Sequence, residues 1–498
     1  MNKTEVVLET ALGSVRGLRQ DGLLAFYGVP YAMPPVGARR FAPPAPVQPW
    51  GGERDARQRG AIAPQEPSRL AVAMGGFDEP QDEDCLTVAV WTPGADNARR
   101  PVLVWFHGGA YTSGAGSLPW YDGSRLASEG DIVVVNVTSR LGALGYLYAP
   151  GVSPGNLGLL DQVAALEWVK RHIAAFGGDP DQVTVMGQSA GSHSIALMLA
   201  RPDAAAPLAQ RAILQSAPLG MTLYDRDKAQ ELGGFFLRAL GIDPDDPRAH
   251  ELACQVSTRA ILDAQSATAR HVVQQSTPGT PGALPFVPVA DGAVLPAPEH
   301  MALALQDAAA KIDVLIGTTR DEATCFFYQN PVIQALTRAP IPEADAARLA
   351  ARRPGASPAQ LLMDFVCEQL FLRPSLDWAL CAAQAGRTAY VYQFDWASPN
   401  KDLAATHCLE LPFVFGTREA YTDAPMMAGA DVGQIDALSA AMRASWIAFI
   451  RTGNTNHANI PPWPPFEPAQ RATMRFAEVS GTVGDIAGES WRAGAAAA

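Results

Sequence analysis

Apolar positions fall into short unbroken runs set between longer stretches of helical period. Pro101 to Phe106 (PVLVWF) and Ile132 to Val137 (IVVVNV) are continuous runs of strand length, the form taken by strands covered on both faces of a parallel sheet. Val183 to Val185, Ala212 to Gln215, Val314 to Gly317 and Tyr390 to Asp395 continue the series, and Asp84 to Trp91 alternates with period two, which predicts a half-exposed strand. Asp161 to Ala174 carries Val163, Leu166, Val169 and Ile173 on one helical face and stops at Gly177-Gly178. Residues 432 to 451 predict a second amphipathic helix through Ile435, Leu438, Met442, Trp446 and Phe449, with Gly453 behind it. Strand, helix, strand with crossovers of this size predicts βαβ units: an α/β fold with an open, mostly parallel sheet and helices on both faces.

Residues 5 to 60 show a short strand pattern (Val6 to Leu8, Val15) and then a proline-rich run, read as packed, irregular chain over a sheet edge. The stretches from about 221 to 275 and from about 331 to 385 are helical without strand character. They predict insertions that either cap the sheet and wall a pocket or pack at its side. The division expected is one domain over residues 1–490 followed by an Ala-rich tail, 491–498.

Charge and cysteine usage narrow the class. Across 498 residues the net charge is −12 with no basic run, which argues against nucleic acid and anionic membrane surfaces as partners. The start has no apolar core of signal-peptide length, and no later stretch approaches the roughly 20 apolar residues of a membrane span, so a cytoplasmic protein is expected. The six cysteines are scattered without a C-x-x-C pair and read as reduced thiols.

The chemistry centres on Gly187-Gln188-Ser189-Ala190-Gly191, which follows a β-branched run and leads into a helical pattern. This is the strand–turn–helix setting of a nucleophile elbow, in which small residues two positions either side of a serine clear room for a strained turn. Gly151 to Gly155 fits the same pattern, but Pro154 has no N–H to donate and no strand leads in, so Ser153 reads as a loop residue. A serine needs a histidine base and an acid behind it. In this kind of sheet they follow the serine in the order acid, histidine. Of the eight histidines only His407 and His457 lie late enough. His457 sits in a proline-rich exit loop, whereas His407 follows the strand YVYQFD and can hang from the sheet's carboxyl edge. Asp321 and Glu322 both leave the strand at Ile316, and the pattern does not choose between them. Phe106-His107-Gly108-Gly109-Ala110 leaves another buried strand into a glycine pair whose N–H groups would face the elbow.

The chain resembles the type-B carboxylesterases, the carboxylesterase and cholinesterase branch of the α/β-hydrolases, from about residue 8 to 478. The stretches that carry the likeness include FYGVPYAMPPVGARRFAPP, EDCLTVAVWTP, VWFHGGAYTSGAGS, GNLGLLDQVAALEWVKRHIAAFGGDPDQVTVMGQSAGSHS, IGTTRDEATCFF and THCLELPFVFG. Bacterial p-nitrobenzyl-esterase-type members look nearer than the animal enzymes. The resemblance implies an α/β-hydrolase fold with Ser189 as nucleophile, Glu322 as the acid, His407 as the base and the N–H groups of Gly108, Gly109 and Ala190 as the oxyanion hole. It also implies a supporting role for Ser216 near the histidine.

Three departures stand out. Ala63 occupies the position of a cysteine that pairs with that of Cys85 in many secreted relatives, Gln188 replaces a glutamate, and Ala323 replaces a glycine. The expected activity is hydrolysis of short-chain or aryl carboxylic esters through an acyl-enzyme, with no cofactor and no metal, and with a small-molecule ester as the partner. Tyr111, Trp120, Phe326, Phe327 and Phe413 are candidates for an apolar pocket. A carbamate or amide hydrolase with the same residues, and a non-catalytic binding protein of the same fold, are the alternatives.

Overall fold

The computed structural model describes residues 3–203, 208–275 and 284–488, so the expected tail at 491–498 lies outside the described residues. Its strands are β1 (Thr4–Thr10), β2 (Gly13–Gln20), β3 (Leu23–Pro30), β4 (Glu53–Asp55), β5 (Thr87–Thr92), β6 (Arg100–Phe106), β7 (Val133–Val137), β8 (Tyr148–Ala149) and β9 (Ser153–Pro154). They continue with β10 (Gly178–Gln188), β11 (Arg211–Gln215), β12 (Asp313–Thr319), β13 (Ala389–Phe394), β14 (Ala472–Phe476) and β15 (Gly481–Gly484). One sheet runs β1-β2-β3-β5-β7-β6-β10-β11-β12-β13-β14-β15, with β4 added to β2, and β8 and β9 form a separate pair. From β7 through β14 every neighbour is parallel. Both ends are antiparallel, β1-β2-β3-β5-β7 on one side and β14-β15 on the other.

The strand pattern expected at Val6 to Leu8 and Val15 is β1 and β2, and β3 is a regular strand where irregular chain was expected. β2 and β3 are joined at Asp21-Gly22, with φ of 51° and 85°; two successive left-handed residues make the two-residue turn whose twist matches a hairpin. β5 is likewise buried along its whole length instead of half exposed. Its period-two alternation divides residues between two covered faces: Val88 and Val90 join one core, Ala89 and Trp91 the other. β14 and β15, and the helix Pro298–Ala309, had no forerunner in the pattern.

The two amphipathic helices lie on opposite faces of the sheet. Leu159, Leu166 and Val169 of the helix Leu157–His172 pack with Val102, Val104 and Val185. Ile435, Leu438, Met442 and Trp446 of the helix Val432–Thr452 pack with Leu103, Trp105 and Ile213. The first helix starts four residues before the expected point. Asn156 precedes it at φ 56°, held by two hydrogen bonds to the Val289 backbone of 2.8 and 3.0 Å, and it ends, through a 3₁₀ turn, at Gly177 with φ 81°.

The stretch from 221 to 275 forms the helices Arg226–Ala239, Ala249–Gln255 and Thr258–Gln275. From 331 to 385 the chain forms Pro331–Gln334, Glu343–Arg352 and Pro358–Val366, a π-helical turn Cys367–Leu372, and Arg373–Gln384. The last of these lies on the sheet, its Leu376, Ala379 and Ala382 in the same core as Val314 and Val391. Pro358–Val366 instead builds a small core of its own around Phe327 and Ile333.

Candidate active site

Parallel neighbours deliver their following loops to one edge of a sheet. β10, β11, β12 and β13 are consecutive in the sheet, so the residues after them, Ser189, Ser216, Glu322 and His407, arrive at one rim in chain order. Ser189 stands at φ 55° and ψ −124° between β10 and the helix Ala190–Leu199. The turn is tight enough that a methyl on Gly187 would lie 2.5 Å from the Gly191 carbonyl carbon, and one on Gly191 would lie 2.0 Å from the Phe106 carbonyl oxygen. Glycine is therefore required at both places, and the left-handed serine is held by its N–H, which donates to the Gln215 carbonyl at 2.9 Å.

Backbone pairing brings the acid and the histidine together. Asp321 bridges to Thr406, with its N–H donating to the Ala405 carbonyl at 2.9 Å, and the Cys325 N–H donates to Thr406 Oγ1 at 3.0 Å. These contacts lay the loop after β12 along the loop after β13. Asp321 is consumed in this bracing, since its carboxylate accepts the Ala405 N–H and pairs with Arg320. Glu322 turns inward: Oε1 accepts the Thr319 N–H at 2.8 Å, and Oε2 accepts from His407 Nδ1. Both side chains are shut from solvent, Glu322 at 1% and His407 at 0% exposure.

The glycine-pair loop crosses in front of Ser189. A methyl on Gly108 would lie 3.0 Å from Ser189 Cβ, and Gly109, Ala110 and Tyr111 follow one another at positive φ, with Thr112 and Ser113 donating back to the Gly109 carbonyl. Ala190, first in its helix, has an N–H with no intrahelical acceptor. A small cavity beside Gly108, Gly109 and Gln188 is walled by Leu70, Met74, Phe77, Trp120 and Tyr121. A larger one of about 200 Å³, lined by Arg125, Arg418 and Arg443 with Asp436, does not include the serine, the acid or the histidine.

The remaining expected residues are placed unevenly. Trp120 reaches the small cavity, and the Phe326 ring packs 5.1 Å from that of His407. Tyr111 is buried with its hydroxyl 2.8 Å from His193 Nδ1, Phe327 faces Ile333 and Leu362, and Phe413 is locked between Phe394 and Trp396 in the core. None of these three reaches the small cavity. Ser216 sits after β11 at φ 48°, buried, its Oγ without a partner among the described residues. Ser153 is buried in β9, and His457 is held against the helix Val432–Thr452 by Ser445 at 3.1 Å.

Phe371 and Glu410 went unnoticed in the sequence, and Gln188 was marked there only as a departure. The Gln188 amide lies 3.1 Å from His407 Nε2. Phe371, on the π-helical turn, packs 5.2 Å from the His407 ring on the same footing as Phe326. Glu410 is fully buried three residues after His407; burial, and then the charge of Glu322, push its carboxyl up to about 7. An acid three residues past a base is one short turn away, which was the available signal for Glu410.

The sequence profile of the Carboxylesterase family matches residues 4–347 and 345–485. The chain is 36% identical over 485 residues to the phenmedipham hydrolase of Pseudarthrobacter oxydans, covering 95% of each chain. It is 36% identical to the para-nitrobenzyl esterase of Bacillus subtilis, covering 95% of this chain and 94% of that one. The crystal structure of the Geobacillus stearothermophilus carboxylesterase EST55 superposes with a TM-score of 0.85 at 35% identity, covering 98% of this chain and 99% of that one. With an α/β-hydrolase sheet, a serine on a strained elbow and matches that run almost end to end, the chain belongs to the carboxylesterase family and is a carboxylic ester hydrolase.

Proposed function

We propose that this hydrolase works by a two-step acyl transfer on short-chain or aryl carboxylic esters, with Ser189 as nucleophile, His407 as general base and Glu322 as the group that fixes the imidazole tautomer. Ser189 Oγ bonds to the ester carbonyl carbon while its proton passes to His407 Nε2. The developing oxyanion is met by the N–H groups of Gly108, Gly109 and Ala190, and the imidazolium then returns the proton to the leaving alcohol. Water repeats the cycle on the acyl-enzyme. The observation that supports this reading best is the buried Glu322–His407 hydrogen bond at the same rim of the sheet as a serine at φ 55°.

The walls of the small cavity, Leu70, Met74, Phe77 and Trp120, are apolar and aromatic, which favours compact or aryl groups. We read residues 1–490 as one catalytic domain in which 221–275 and 331–385 contribute helical insertions. Six free thiols, with Ala63 in place of a partner for Cys85, support a reducing compartment such as the cytoplasm. No helix among the described residues is long and apolar enough to cross a membrane. The test compares wild type with Ser189→Ala on p-nitrophenyl esters, aryl carbamates and anilides. Ester turnover is expected to drop by about 10⁴-fold or more in the variant; equal turnover by both proteins would remove Ser189 from the mechanism.

A further inference from the structure

The imidazole of His407 has two hydrogen-bond partners in this conformation, Glu322 at Nδ1 and Gln188 at Nε2. Nδ1 faces a carboxylate, so it carries the ring proton and Nε2 presents its lone pair. A lone pair 3.1 Å from an amide nitrogen accepts from it, and the Gln188 N–H is therefore bound to the atom that must take the serine proton. Gln188 is 1% exposed at the end of β10, and its Oε1 lies 2.6 Å from where a methyl on Gly108 would sit. The ring is also packed against Phe326 and Phe371, both tilted to it, at 5.1 and 5.2 Å.

Taking the assignment of Ser189 and His407 above as its basis, we propose that Gln188 is a positioning residue that holds the resting imidazole by its lone pair and surrenders it to the Ser189 hydroxyl during turnover, so that the amide competes with the nucleophile for the base. In the resting ring the amide satisfies the buried acceptor at Nε2. Once the serine proton has moved to Nε2, the nitrogen is a donor and the amide N–H no longer fits it. The imidazolium is then directed to the leaving alcohol. A donor on a lone pair favours the neutral form of an imidazole over the charged form. A glutamate in the same place would do the reverse.

The charged groups facing this ring are Glu322 at Nδ1 and Glu410, whose carboxyl is close enough to interact with both Glu322 and His407. The nearby thiols of Cys325, Cys367 and Cys408 are held neutral by burial.

The experiment measures kcat and kcat/KM for a p-nitrophenyl ester against pH in wild type, Gln188→Glu and Gln188→Met. The same three are repeated in a Glu410→Gln background, so that titration of the second carboxyl is removed. The acid limb of a histidine base lies at roughly pH 6 to 7. Gln188→Met is expected to move its midpoint up by about half to one unit, and Gln188→Glu by more. A purely structural glutamine would change KM or melting temperature and leave the midpoint in place. Midpoints that agree within about 0.2 units in all three proteins would overturn the proposal. The near-isosteric glutamate keeps it testable should the methionine variant fail to fold. Ser189→Ala run alongside separates the two ideas: if it retains wild-type turnover the nucleophile assignment fails, whereas an inactive Ser189→Ala with unmoved midpoints refutes only the role of Gln188.

Discussion

Glu410 shows how burial and charge combine at one residue. Its Oε1 accepts from Gln215 Nε2 at 3.3 Å, its Oε2 has no partner, and the carboxyl is pushed up to about 7 by burial and by Glu322. A group whose pKa is raised on folding binds its proton more tightly in the folded chain. The stability it contributes is therefore complete below the unfolded value of about 4.5 and is lost as pH rises through about 7. The span amounts to about 3 kcal/mol. Glu410→Gln has no such proton to lose. Thermal unfolding from pH 5 to pH 8 should show the melting temperature of wild type falling relative to the variant as pH rises, and a constant difference would mean that the carboxyl does not titrate in this range. The same scale shows what side-chain identity can tell. Ser189 and His407 were legible because chain order and flanking patterns single them out, whereas Asp321 and Glu322 are adjacent acids on one loop. Only the backbone bridge of Asp321 to Thr406, which uses up the first carboxylate, makes the second the inward one.

Among the elements, the π-helical turn Cys367–Leu372 couples the 331–385 stretch to the site. Phe371 leans on the His407 ring, Cys367 Sγ accepts the N–H of Ala323 next to Glu322, and Leu370 accepts the Gly220 N–H. On its other side the nearly buried Glu368 gathers Arg348 at 2.8 Å, Arg373 at 3.3 Å and Arg352. Glu368→Gln would leave three guanidinium groups around a neutral amide. All three are partly solvated, so the expected cost is about 1 to 3 kcal/mol, below that of breaking a fully buried pair. Loosening the turn removes one of the rings packed against the imidazole, and kcat should fall by about tenfold with KM within about twofold. Calorimetry and steady-state kinetics on the one variant check both; a lowered melting temperature with unchanged kcat would show that the turn supports the fold and not the ring. Helical periodicity could not have revealed this, because an i to i+5 turn slips the face by one position and Phe371 then reads as one more apolar residue in a helical run. The hairpin at Asp21-Gly22 is the opposite case, a plain turn signal inside a segment whose prolines drew it toward loop.

For the molecule as a whole, the parallel centre of the sheet was legible and its antiparallel ends were not. Continuous apolar runs mark strands buried on both faces, but the same period-two alternation serves a half-exposed strand and one, like β5, that divides its residues between two cores. Those cores also enclose polar side chains whose titration sets how the fold responds to acid. His107 and His193 are buried, and burial pushes each down to about 4. Their signs oppose that of Glu410: a lowered pKa contributes stability present above the unfolded value of about 6.5 and lost as pH falls through about 4. Each histidine withdraws about 3 kcal/mol over that span, against a gain of about 3 kcal/mol from protonating Glu410. Two losses against one gain leave the protein less stable in acid, by an amount comparable to a sizeable fraction of a typical folding free energy. Urea unfolding at pH 6.5, 5.5 and 4.5 should therefore show a falling midpoint, and His193→Gln, which leaves one loss against one gain, should remove most of the decline. Far-UV circular dichroism at each pH distinguishes unfolding from loss of catalysis in the folded protein. A midpoint that holds steady or rises toward pH 4.5 would show that the two rings can take up protons in place, and that burial at Tyr111 and at the glycine-pair loop is looser than the packing implies.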